Sequence, residues 1–265
     1  DTRVEELRSE SFVSGVWTPR DNLSVTGALR YERSRITATG SAGAAETDLN
    51  FLKPRLNIAW TPAAGHQLAF KLERNVDQLS FGAFQASTGV FGRGNPDIRP
   101  AQIWLAQARY ERVFGRQGSF VAELTHEAFD DLLGQVVILE TPPGETTPRL
   151  YNITRNVGTA RRETAKFTGR LPLDSYGMGG GVASASLQLR QSETVDPVTF
   201  VDRRLSNEQP VVVSLGLSQN LVSQRINWSL NASSGQSTRN YGPRALVQSR
   251  SQPSFSASLS WRPDD

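Results

Sequence analysis

The sequence predicts an all-β protein: an antiparallel transmembrane β-barrel, partial here, with about eleven strands of a larger barrel. Three observations predict it. Apolar residues recur at every second position along most of the chain. Connections alternate between short and long. No stretch approaches the roughly 18 consecutive apolar residues of a membrane helix, and no run is longer than Val136-Val137-Ile138-Leu139.

Composition agrees with a sheet that is apolar on one face and wet on the other. Hydrophobic residues are 37% of the 265, too few for a large compact core. Yet 12 Phe, 5 Trp and 5 Tyr at regular spacing argue against disorder. The absence of cysteine excludes a disulfide scaffold and a thiolate metal site. A net charge of +3, from 29 basic and 26 acidic residues without long basic runs, gives no nucleic-acid footprint. The charged start, Asp1-Thr2-Arg3-Val4-Glu5-Glu6, is no signal peptide, so an export signal is expected outside this segment.

The elements follow in chain order. Residues 7–17 fit the period least cleanly, because Phe12 and Val16 fall on the polar face. Leu23, Val25, Gly27, Leu29 and Tyr31 then alternate with Ser24, Thr26, Ala28, Arg30 and Glu32. Residues 52–60, 68–72, 104–114, 120–128, 165–171 and 183–189 repeat the pattern. Val211, Val213, Leu215 and Leu217 form another set, followed by Ile226, Trp228, Leu230 and Ala232. Phe255, Ala257, Leu259 and Trp261 close the series, with serines between them. Successive side chains of a strand point to opposite faces, so each set is one-sided. Lengths of about ten residues suit membrane strands better than the five or six of soluble sheets.

Short turns are expected at 18–22, 61–66, 115–118, 174–181 and 220–224. Longer polar segments occupy 37–50, 78–100, 134–158, 191–209 and 234–252. Outer-membrane barrels carry short turns on one side and long loops on the other. Trp17, Trp60, Phe114, Phe120 and Trp261 lie near short turns, where an interfacial aromatic girdle belongs.

The second face carries the bases Arg30, Lys53, Arg55, Lys71, Arg109, Lys166 and Arg190. Among them stand the acids Glu32, Glu73, Glu111, Glu123 and Glu127. A wide lumen accepts such residues. Lipid does not, because Arg or Lys at the bilayer midplane costs about 2–4 kcal/mol. The apolar row therefore faces lipid, with Arg112 its main exception, close to a short turn. In hydrocarbon every backbone N–H and C=O needs a protein partner, so a sheet with open edges is expected to belong to a larger closed barrel.

The most specific stretch is Arg93-Gly94-Asn95-Pro96-Asp97-Ile98-Arg99-Pro100-Ala101. On its residues alone it is a stiff turn before a strand. It also resembles the "GNPxLxPE" segment of TonB-dependent receptors, with Gly94, Asn95, Pro96 and Pro100 as the matching residues. In that family the segment closes a long external loop and leads into a strand. The resemblance continues through Tyr110-Glu111, the 114–118 turn and Asp130-Asp131-Leu132-Leu133. Asn156-Val157-Gly158-Thr159-Ala160 resembles the family's "NxGxA" strand start. The likeness is best from residue 52 to residue 190. Two positions depart from it: Ala101 stands where the family has Glu, and no glycine follows Ala160.

The resemblance implies about 22 strands around a plug in the Gram-negative outer membrane. It implies capture and TonB-driven import of a scarce nutrient such as a siderophore, cobalamin or a glycan. Residues 1–265 are then one partial barrel domain, and the plug and the final strands are expected outside them. The implied partners are outer-membrane lipid, the protein's own N-terminal plug, the TonB complex reached through the N-terminal region, and a small-molecule ligand. No cofactor and no nucleic acid are expected. Candidate ligand-binding or plug-facing residues are Asp97 and Arg99 at the loop end, and Arg55, Lys71, Arg109 and Glu111 on the lumen side. Each lumen charge has the plainer alternative of a solvated wall residue.

Catalysis is not expected. His66 falls in a short turn and His126 on the apolar face, so no two-histidine metal site forms. Asp130 and Asp131 are adjacent on a strand and point apart. Gly177-Met178-Gly179-Gly180-Gly181 lacks the Lys-Ser/Thr of a phosphate loop. The rival readings are a passive porin or structural barrel, an outer-membrane enzyme, and a soluble all-β module with its apolar face turned inward.

Overall fold

The computed structural model describes residues 3–40, 43–78, 98–115, 117–141 and 144–262. Period-two sequence becomes antiparallel ladder throughout. The strands are β1 (Arg3–Arg20), β2 (Leu23–Gly40), β3 (Gly43–Ala63), β4 (His66–Val76), β5 (Gln102–Phe114) and β6 (Gly118–Asp130). They continue with β7 (Leu133–Glu140), β8 (Arg149–Asn156), β9 (Ala160–Pro172), β10 (Gly181–Val195), β11 (Asp202–Arg203) and β12 (Val211–Leu221). The last are β13 (Ile226–Ser233), β14 (Gln236–Tyr241), β15 (Leu246–Ser251) and β16 (Ser254–Trp261). One 12-stranded sheet runs β1-β2-β3-β4-β5-β6-β9-β10-β12-β13-β16, with β11 beside β10. Hairpins β7–β8 and β14–β15 are separate two-stranded sheets. No helix among the described residues is long and apolar enough to cross a membrane.

Register fixes the faces. Val25 pairs with Trp17 and Ile58, Leu68 with Trp60 and Tyr110, and Leu124 with Ala108 and Ala165. Leu215 pairs with Ala185 and Ala232. One continuous apolar row therefore crosses the sheet, and the charged set lies on the other face. Trp17, Trp60, Phe114, Phe120 and Trp261 all belong to the apolar row at the short-turn end. Gly118 lets the Phe114 ring lie across its turn, since a Cβ there would overlap that ring. Phe12 and Val16 do fall on the charged face, opposite Arg30 and Thr26.

Three expectations about loops are corrected. Residues 37–50 are not a loop, because β2 and β3 stay paired from Leu23↔Trp60 to Gly40↔Gly43. Above the apolar band the polarity of this ladder inverts. Its outer row becomes Arg33, Arg35, Asp48 and Asn50, and its inner row buries Ile36, Leu49 and Phe51 against Val4 and Val76. Outside a bilayer the outer row meets water, so the apolar side chains turn inward. Residues 134–158 and 234–252 likewise contain the β7–β8 and β14–β15 ladders, which satisfy their backbone groups beyond the main sheet.

Candidate functional site

The charged face is a paired wall. At its β1–β3 corner Glu32 is 6% exposed and receives both Arg8 (2.8 Å) and Lys53. Arg8 also pairs with Glu10, which lies 3.4 Å from Arg30. Glu73 is a second hub, with Lys71 at 2.5 Å, Arg55 at 3.5 Å and an Asn75 amide donating at 2.9 Å. Arg109 pairs with Glu111 at 2.7 Å. Glu127 accepts both arms of Arg162, at 2.6 and 2.7 Å, and that guanidinium stacks 5.2 Å over Phe129.

Of the expected site residues, the structure brings Arg55 and Lys71 together through Glu73. Lys71 pairs with Gln107, so Arg109 sits diagonally below it, ~7–8 Å away. Gly94, Asn95, Pro96 and Asp97 lie outside the described residues. Pro100 is buried beside fully buried Ile98. Arg99 stands at the rim, ~20 Å or more along the strand from Arg109, and does not join the wall.

The backbone of Arg99 is held by a residue the sequence reading did not single out as a contact. Arg99 N–H donates to Asn156 Oδ1 (2.8 Å), and Asn156 Nδ2 donates to the carbonyls of Arg99 (2.8 Å) and Asp131 (2.7 Å). One amide thus ties the stiff loop end to the β6–β7 and β8–β9 junctions. Asn156→Ala removes three hydrogen bonds, each worth about 1 kcal/mol net. Amide exchange at Arg99 is expected to accelerate about a hundredfold, read by mass spectrometry. The five-charge group around Glu32 was also unmarked as a site, because Phe12 and Val16 obscured the alternation of β1.

Above the wall, the chain between β10 and β12 folds over the long-loop rim. Asp196 organises it, accepting from the N–H groups of Val198 (3.0 Å) and Thr199 (2.9 Å) and from Arg203 Nε (2.6 Å). Burial pushes the Asp196 carboxyl up. The Thr199 and Val198 N–H groups, Arg203 and the Thr199 hydroxyl outweigh it and hold the carboxyl below its usual range. Since the folded value is depressed, its stabilisation is full above the unfolded value of about 3.9 and is lost as pH falls through the folded one. A spin label at exposed Val198 is expected to gain mobility only below about pH 4. In Asp196→Asn that pH dependence should vanish.

A family profile described as "TonB dependent receptor-like, beta-barrel" matches residues 2–265. The chain belongs to the TonB-dependent receptor β-barrel family. Barrels of this family reside in the Gram-negative outer membrane, which assigns the apolar row to lipid. Solved structures share the fold. The copper transporter OprC matches at 16% identity and TM-score 0.71, over 97% of this chain and 40% of its own. The FrpB iron transporter from Neisseria meningitidis (F3-3 variant) matches at 12% identity and TM-score 0.68, over 97% and 38%. The ferric citrate transporter FecA, unliganded, matches at 13% identity and TM-score 0.71, over 97% and 37%. The chain therefore spans about 40% of the length of these structures. No curated protein sequence matches it. This TonB-dependent receptor wall has its histidines on the lipid row, where His66 bonds Tyr110 (2.9 Å) and His126 lies 3.3 Å from Glu163. Among the described residues no cluster of His, Cys, Asp and Glu could hold a metal ion.

Proposed function

We propose that this chain forms part of the wall of an outer-membrane receptor that captures a scarce nutrient outside the cell and imports it with energy delivered through TonB. The observation that carries the reading is the internally paired, charged lumen face, together with membership of the family. A lumen face of this polarity suits water or a protein plug rather than packed side chains. In the parent protein, further strands join the edges of β1 and β16, and an N-terminal plug fills the lumen. Unpaired strand edges are not tolerated in lipid, and this supports closure by such strands.

In this reading Arg55, Lys71, Arg109 and Glu111 face the plug or the passing ligand, and Asp97 and Arg99 mark the end of an external loop. The structural relatives are transporters of copper, iron and ferric citrate. With both histidines on the lipid row, this segment meets such a cargo as a complex, through charge and hydrogen bonds rather than through direct ligation. Uptake of labelled ferric citrate, copper and cobalamin, with and without TonB, tests the reading. The expected result is uptake of at least one cargo that falls more than about tenfold without TonB. Uptake indifferent to TonB, with a steady ohmic conductance of the full-length protein in planar bilayers, would make it a passive barrel.

A further inference from the structure

Glu208 is the most anomalous group in the described chain. It lies between β11 and β12, its side chain is only 3% exposed, and neither carboxylate oxygen has a hydrogen-bond partner. Arg204 Nη1 is 3.9 Å away, too far for a hydrogen bond. Buried carboxylates are normally paired and bonded, because burial strips their water. This one lines a cavity of about 500 Å³ with Arg204, Arg239, Ser237 and Tyr241.

The cavity is built rather than accidental. Its floor segment is fixed from two sides. Leu205 N–H donates to Ser192 Oγ (2.9 Å), and Asn207 N–H donates to the Arg239 carbonyl (2.8 Å). Tyr241 N–H donates to Ser206 Oγ (3.1 Å). Arg203, already bonded to Asp196, lies 4.6 Å over the Tyr241 ring and stiffens that wall. An adjoining cavity of about 680 Å³ shares Arg204, Arg239 and Tyr241, and opens the site toward Arg244 at the hairpin tip.

The chemistry selects the ligand. Glu208 only accepts, so it requires an O–H or N–H donor. Two guanidiniums face one carboxylate in this wall, and the surplus positive charge calls for an anion. We propose that this rim cavity binds a small carboxylate that carries a neighbouring hydroxyl or ammonium group. The Glu208 carboxylate, closed off in this structure, turns into the cavity to accept from the donor, and the ligand's carboxylate lies between Arg204 and Arg239. The site is at the long-loop rim, within electrostatic reach of Arg162 at the edge of the charged wall, and its occupation does not depend on energy coupling.

Calorimetry on the full-length protein in detergent, with malate, aspartate and succinate as probes, tests the proposal. The three share one dicarboxylate frame; malate adds a hydroxyl, aspartate an ammonium, and succinate neither. Malate or aspartate, or both, is expected to bind at least about tenfold tighter than succinate, and the better of the two names the donor. Glu208→Ala should abolish that preference, and Arg239→Ala should weaken every probe at least about tenfold. If Glu208→Ala does not assemble as a heat-modifiable barrel, Glu208→Gln serves, and the preference for aspartate should collapse with its charge. Equal affinity for all three probes, no binding of any at about 10 mM, or an unchanged preference in Glu208→Ala (for aspartate, in Glu208→Gln) would overturn the proposal. Because no step requires TonB, a negative result here leaves the transport reading standing, and loss of that reading leaves this one.

Discussion

Leu215→Arg is expected to destabilise the barrel by about 2–4 kcal/mol, whereas Ser214→Arg, one residue away, is expected to change it by less than about 0.5 kcal/mol. Leu215 is 55% exposed and lies midway along the apolar row of β12, between Val211 and Gln219. Its lateral neighbours are Ala185 and Ala232, too short to shield a guanidinium from hydrocarbon. Ser214 faces the lumen between Ser186 and Ser233, where an arginine reaches water. Urea titration of the full-length protein in lipid vesicles measures both values. Equal costs would mean that the two faces do not differ in solvent.

Glu32→Ala is expected to cost about 2–3 kcal/mol, somewhat below the cost of breaking a fully buried pair because the lumen is wet. The substitution strands Arg8 and Lys53 together around a site only 6% exposed. Combining it with Lys53→Met should recover part of the loss, with a coupling of about 1–3 kcal/mol. Glu46→Ala is the control. Its partner Arg35 is 3.3 Å away on the exposed outer row, and exposed pairs contribute under about 1 kcal/mol. Similar losses in Glu32→Ala and Glu46→Ala would show that the inner cluster is as solvated as the outer one.

Much of this architecture was legible in the sequence because a membrane strand advertises both faces. Leu23, Val25 and Leu29 against Ser24, Thr26 and Arg30 leave one register, and the ladder adopts it. Legibility stops where the solvent changes. Beyond Tyr31 the outer row of β2 meets water, Arg33 and Arg35 take it, and Ile36 turns inward. A pattern keyed to apolar residues outside therefore ends at the membrane rim although the strand does not. The β14–β15 hairpin was hidden for a related reason: Gln236, Ser237, Thr238, Arg239 and Asn240 present no apolar face, and the pairing is carried by backbone bonds. Asn156 and Glu208 act through partners far away in sequence, Arg99 and the β14 wall, which no local pattern reveals.

Alternate residues of each strand face lipid and water. The chain has no cysteine, so a thiol introduced in it is unique within this segment. Cysteine scanning along β10, in vesicles carrying the full-length protein, tests the claim most directly. Val182, Ser184, Ser186 and Gln188 should react with a charged, water-soluble maleimide, and fluorophores at Ala183, Ala185, Leu187 and Leu189 should be quenched by nitroxide lipids. Uniform reactivity along the strand, or quenching at the even-numbered positions, would contradict it.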